Sequence, residues 1–162
     1  MERVRLHGGG AIARAGRGIF AEALLARFPL LPVEEEGRLH DPWLRENFVE
    51  RGFAYRRLKD LFDGRWTAGD LVRFHTAEKL LVLAHDAEAY RQLGRLVAHA
   101  KGTPRDEVRS RYGEIYMRAL GRIAKAGKQA NVLQHMAGYL KDRLAPEDKR
   151  ELHEAIGDFR RS

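Results

Sequence analysis

Apolar residues along this chain recur at three- and four-residue intervals, the spacing of one face of an α-helix, and no segment alternates as a half-buried strand would. The first helix is read over 18–28 and ends at Pro29, which biases Phe28 toward extended backbone. Residues 29–33 continue as an extended connector, and Glu34-Glu35-Glu36-Gly37 forms an acidic turn. Asp41 stands before Pro42 as an N-cap stands before a first-turn proline. It opens a helix to about Phe62, with Leu44, Phe48, Phe53 and Leu58 as its buried positions.

Asp63-Gly64 breaks that pattern. Thr67, followed three residues later by Asp70, marks the start of a helical stretch that runs to about His85, with a kink near His75. Asp86 caps a helix over 87–101, Gly102 ends it, and Thr103-Pro104 opens another over 104–125. In that helix Val108, Tyr112, Ile115, Ala119 and Ile123 form an apolar stripe. Gly127 separates it from a helix over 128–143, and Pro146 starts a last one that ends near Arg161. The expectation is an all-α fold, a compact bundle of about six or seven helices with an N-terminal helical arm. An irregular start covers 1–16, the arm 17–62 and the main domain 64–162.

Composition narrows the setting. With 44% hydrophobic residues in 162, the chain is long enough to bury a core. No apolar run approaches the roughly 20 residues of a membrane span, and Met1-Glu2-Arg3-Val4-Arg5 lacks the apolar centre of a secretory signal. A cytoplasmic location without a membrane partner is expected. The absence of cysteine excludes disulfides, thiolate zinc sites and iron–sulfur clusters ligated by this chain. Arginine outnumbers lysine 23 to 7, and Asn and Gln number only two and three. Thermophily accounts for this scarcity of thermolabile amides, and so does codon bias in a GC-rich genome.

Charge is unevenly placed. Residues 1–63 hold eleven basic and ten acidic side chains, whereas 91–143 hold twelve and four, a surplus of eight. Such a segment attracts nucleic acid or nucleotides, although a solvated helical surface looks the same in sequence.

Three groups of residues stand out against that background. The stretch 71–85 is apolar almost all round, which marks a buried helix, yet His75 and Lys79 lie four apart on one face and His85 closes the run. A buried ammonium needs a carboxylate, a cavity or a route to the surface, so Lys79 either pairs, lines a site or snorkels. On 128–143, Lys128, Asn131, His135 and Tyr139 share a face and offer a cation, an amide, an imidazole and a phenol. A small polar ligand or a seam between helices would use such a stripe equally well. On 104–125, Arg111, Arg118, Arg122 and Lys125 fall on one side as a basic ridge suited to phosphates, or to water. No HExxH or HxH spacing, P-loop or nucleophile elbow is present, so no metal or cofactor is expected.

The segments Phe74-His75-Thr76-Ala77-Glu78-Lys79-Leu80-Leu81-Val82-Leu83-Ala84-His85, Tyr90 through Ala98 and Lys128 through Lys141 occur in order and resemble the YbgA-like bacterial family over roughly 64–161. The resemblance implies a helical domain and makes His75, Lys79 and His85 part of that family's signature. This domain often follows a cysteine-bearing domain related to thiouracil desulfidases, which use an iron–sulfur cluster. Residues 17–60, including Gly18 through Leu24, Phe28 through Leu39 and Asp41 through Tyr55, resemble the tail of that second domain. Its cluster cysteines would lie upstream, and residues 1–16 do not match it. A shortened family member without desulfidase chemistry is therefore expected.

The leading expectation is a non-catalytic accessory module that binds a nucleobase, nucleotide or nucleic acid through Lys79, His75, Arg95, Lys128, Asn131 and His135. An enzyme with His75 or His135 as general base beside Lys79 is the alternative. A structural remnant that pairs with a second copy through 18–62 is a third.

Overall fold

The computed structural model describes residues 18–161; the irregular start expected over 1–16 lies outside them. All regular structure among the described residues is helical. Seven α-helices follow in order: α1 (Ile19–Arg27), α2 (Pro42–Phe62), α3 (Ala68–His85), α4 (Ala87–Ala98), α5 (Arg105–Leu120), α6 (Ala126–Leu140) and α7 (Pro146–Arg161). Short 3-10 turns lie at Glu36–His40 and Ala100–Gly102. The chain divides into two compact units at Arg56/Arg57, inside the continuous helix α2.

Local chemistry sets these boundaries. The Asp41 carboxylate accepts from the Trp43 and Leu44 amides at 2.8 and 3.3 Å, starting α2 where the sequence placed it. Thr67 and Asp70 form a reciprocal capping box, with Thr67 N donating to Asp70 Oδ2 at 2.7 Å and Asp70 N to Thr67 Oγ1 at 3.2 Å. Asp86 ends α3 and caps α4 through the Glu88 and Ala89 amides. Pro146 opens α7, with Glu147 and Asp148 in its first turn and Arg160 and Arg161 in its last, matching the helix dipole at both ends.

The first unit keeps few side chains out of water. Pro32, Asn47 and Ala54 are buried, whereas Ile19, Phe20, Phe28, Trp43, Val49 and Phe53 are exposed. Phe53, expected inside, is 66% exposed. The inward stripe of α2 passes through Asn47, Ala54, Leu58 and Phe62, and Phe53 sits one residue, about 100° of helix, away from it.

The second unit holds most of the buried apolar side chains. α3 packs against α4, α5 and α6, and α6 packs against α7. Leu71, Val82, Leu93, Val108, Tyr112, Tyr116 and Leu120 are fully or almost fully buried, each aliphatic side chain worth about 1.5–3 kcal/mol. Aromatic rings gather at one end. Phe62 meets Trp66 edge-on at 5.1 Å, Phe74 meets Tyr112 and Tyr116 at 5.9 and 5.6 Å, and the two tyrosines stack at 6.0 Å. Such pairs add about 0.5–1.5 kcal/mol each beyond area burial.

Several boundaries differ from the sequence reading, α4 among them, which ends at Ala98 rather than near Lys101. α5 ends at Leu120 rather than near Lys125, so Ile123 leaves the apolar stripe and is 39% exposed. α6 starts at Ala126, with Gly127 inside its first turn, and stops at Leu140. α3 is one helix from Ala68 to His85, through His75.

Candidate functional site

Helix α3 carries a buried carboxylate, and it belongs to Glu78 rather than to a partner of Lys79. Glu78 is 7% exposed. Its Oε1 accepts from Arg57 Nε at 2.7 Å, and its Oε2 accepts from Arg57 Nη2 at 2.8 Å and from the Tyr116 hydroxyl at 2.5 Å. A two-pronged guanidinium plus a phenol satisfies the charge where water is scarce. The Glu78 hydrogen bonds hold the Arg57 guanidinium above its ordinary value. Burial, and then the hydrogen bond and charge of Glu78, push the Tyr116 hydroxyl up; burial and Glu78 do the same for Tyr112. Neither phenol ionises in the physiological range.

The cluster continues through Tyr112, whose hydroxyl lies 3.1 Å from His75 Nδ1. His75 is half-buried, and its Nε2 lies close to Gly94 on α4, 4.0 Å from where a β-carbon would stand. Burial first, and the nearby Lys79 charge second, hold its pKa below the usual histidine value. Lys79 itself is half-buried and has no carboxylate within ion-pair distance among the described residues. Arg95 is not drawn to these two. It is exposed on α4 and lies 3.6 Å from Glu88.

A second cluster ties the start of α6 to the α3–α4 junction. Lys128 Nζ donates to the His85 main-chain carbonyl at 2.6 Å. The buried His85 ring hydrogen-bonds through Nδ1 to the Arg122 carbonyl, and Arg122 Nη1 pairs with Asp86 Oδ2 at 2.6 Å. His85 and Arg122 thus fasten the α5–α6 loop to the body of the unit.

The basic ridge expected on one helix is divided by the end of α5. Arg111 and Arg118 lie on α5, with Arg111 paired to Glu107 at 2.9 Å, while Arg122 and Lys125 lie in the loop beyond it. The stripe on α6 survives as a geometric unit. Lys128, Asn131, His135 and Tyr139 are all exposed, and Tyr139 is 66% exposed. The side chains of Asn131, His135 and Tyr139 make no hydrogen bond to any described residue. On the other faces of α6, Val132 packs on Leu83 and Ala84 of α3, and Ala130 and Ala137 pack on Ile156 and Leu152 of α7. Residues 115–141, which hold the loop and all of α6, contain Arg118, Arg122, Lys125, Lys128 and Lys141 and no Asp or Glu.

The structure therefore brings His75 and Lys79 together, joins His85 to Lys128 through the main chain, and leaves Asn131, His135 and Tyr139 facing water. No group of three or more metal-ligating side chains converges among the described residues, and no described helix is long and apolar enough to cross a membrane. Arg57 and Tyr116 belong to no motif, and Glu78 stands in the segment 74–85 without being singled out there. Their one signal in sequence is an acid inside an apolar helix, Glu78.

The described residues form an all-helical fold with a buried Glu78 carboxylate held by Arg57 and Tyr116, and an α6 that carries no carboxylate. The chain belongs to the family described as "Protein of unknown function (DUF1722)", whose model matches residues 79–162. It is similar to "Uncharacterized protein YbgA" of Escherichia coli (strain K12), with 30% identity over 112 residues, or 68% of this chain. The match spans 66% of that relative's own length, just under two thirds. No solved structure matches the chain.

Proposed function

We propose that this protein is a helical binding module for nucleic acid, with the exposed face of α6 as the contact surface. The observation that supports this most directly is the 27-residue stretch 115–141, with five basic side chains and no carboxylate. A phosphate approaching that stretch meets no acidic side chain from it. An open ridge of Lys128, Asn131, His135 and Tyr139 suits a polymer lying across the helix better than an enclosed nucleobase or nucleotide. Lys79 and His75, half-buried between helices, have less access to such a partner. A catalytic site built on His75, Lys79 and His135 has less support, because His75 Nδ1 already faces Tyr112 and His135 is exposed on another helix.

The test is binding of a labelled oligonucleotide across a salt series. Affinity is expected to fall steeply with salt, with a log–log slope of about −0.7 for each single-strand phosphate neutralised. Arg118→Gln with Lys125→Gln is expected to flatten that slope. Binding that ignores both salt and the double variant Lys128→Ala, Asn131→Ala would remove the site.

Pairing of two copies through residues 18–62 is a second reading, supported by the exposure of Ile19, Phe20, Trp43 and Phe53. It predicts a dimer by sedimentation that Phe53→Glu disperses; a monomeric parent chain at high concentration rules it out. The likeness of 17–60 to a desulfidase-related tail adds no chemistry to either reading, since the chain has no cysteine to offer a cluster.

A further inference from the structure

We infer that the nucleic acid taken by α6 is single-stranded, with unpaired bases stacking on the His135 and Tyr139 rings; this rests on the binding face proposed above. The two rings stand four residues apart, about 6 Å along the helix axis and on one side of it. Both are exposed, and neither makes a side-chain hydrogen bond or ring contact with another described residue. Exposed rings with unpartnered polar ends offer two flat faces to solvent.

A duplex cannot use them in that way. Its base faces are covered by neighbouring pairs, leaving only groove edges and phosphates for a helix to touch. A single strand exposes the faces themselves, and stacking on aromatic side chains tolerates any base. Asn131 lies one turn before His135 and carries both amide donors and an acceptor, the groups that read the Watson–Crick edge of a splayed base. Lys128 stands a further turn back, where a phosphate of the same strand would fall. The apolar surface beside the ridge points the same way. Met136 and Leu140 are 47% and 45% exposed on α6, a poor match to a hydrated groove and a good one to the body of an unpaired base.

Fluorescence anisotropy with short labelled strands of one mixed sequence decides it, using single-stranded DNA, single-stranded RNA and the DNA duplex at the same salt. Either single strand is expected to bind about tenfold more tightly than the duplex. Tyr139→Phe is expected to keep the affinity and Tyr139→Leu to lose about tenfold, a stacked base's share, with an unchanged salt slope. The position is exposed, so helical circular dichroism should not change. A duplex bound as tightly as the strands, or Tyr139→Leu equal to the parent protein, overturns single-strand stacking and leaves nucleic-acid binding by α6 in place. No salt-dependent binding of any of the three removes both.

Discussion

The guanidinium of Arg57 and the carboxylate of Glu78 meet along two parallel hydrogen bonds of 2.7 and 2.8 Å, tying the end of α2 to the middle of α3. The two partners are unequally buried, since the Arg57 side chain is 45% exposed and that of Glu78 only 9%. Arg57→Ala strands a buried charge with only Tyr116 for company. It is expected to cost about 2–4 kcal/mol, the range for an orphaned buried ion lowered for the solvent that reaches Arg57. Glu78→Gln leaves a neutral acceptor and a guanidinium that can turn to water, and should cost less. Urea unfolding midpoints of the two variants check the order; a larger loss for Glu78→Gln would contradict it.

Tyr116→Phe removes one hydrogen bond from the same carboxylate and should cost about 1–2 kcal/mol. Because Tyr116 and Arg57 share Glu78, their effects should not add. A double-mutant cycle measures the coupling, and strict additivity would show that the two contacts act separately.

His75 gives the fold a pH dependence with a definite sign. Burial, and then the Lys79 charge, hold its folded pKa below that of the unfolded chain, about 6.5. Above that pH both states carry a neutral ring and the site adds no slope. As pH falls from about 6.5 toward the folded value, the unfolded chain takes up a proton that the folded one refuses, so stability drops. Melting temperature should therefore decline as pH falls below about 6.5, and His75→Gln should reduce that decline. An identical profile in the variant would assign the effect elsewhere.

Lys128 is asked to do two things at once, because its ammonium holds the His85 carbonyl while it stands on the proposed contact face. Lys128→Ala is expected to cost about 1 kcal/mol of stability, toward the low end for an exposed charged donor, as well as affinity. Lys125, the residue just before α6, makes no side-chain cap. Its replacement by Gln should change affinity with little loss of stability. Thermal melts and binding on the same preparations separate the two roles.

The capping box at α3 offers a control remote from these sites. Thr67→Ala should cost about 0.5–2 kcal/mol and leave binding alone. A change in oligonucleotide affinity in that variant would mean that α3 and α6 are coupled more widely than their packing suggests.

The caps at Asp41, Thr67 and Asp86 made the helices legible, because each is a local contract between a side chain and the next few amides, and Pro146 marked the start of α7 by its fixed backbone angle. The end of α5 was not, since Ile123 continues the apolar spacing for one turn beyond the helix itself. Phe53 shows the same gap: spacing reports which residues share a face, not which face has a neighbour. The Glu78 cluster depends on three elements meeting, so nothing in any one segment announced it. Lys79 drew attention as the charge in an apolar helix, while the adjacent Glu78 holds the pair.

The attachment of α7 has one more consequence. That helix packs mainly on α6, and α6 reaches the rest of its unit through Val132 and the Lys128–His85 bond. Parting the last two helices from α3 opens this one interface, and their amides should exchange with solvent sooner than those of α3, which packs on three helices. A partner that settles on α6 would slow that exchange in α7, a helix it never touches.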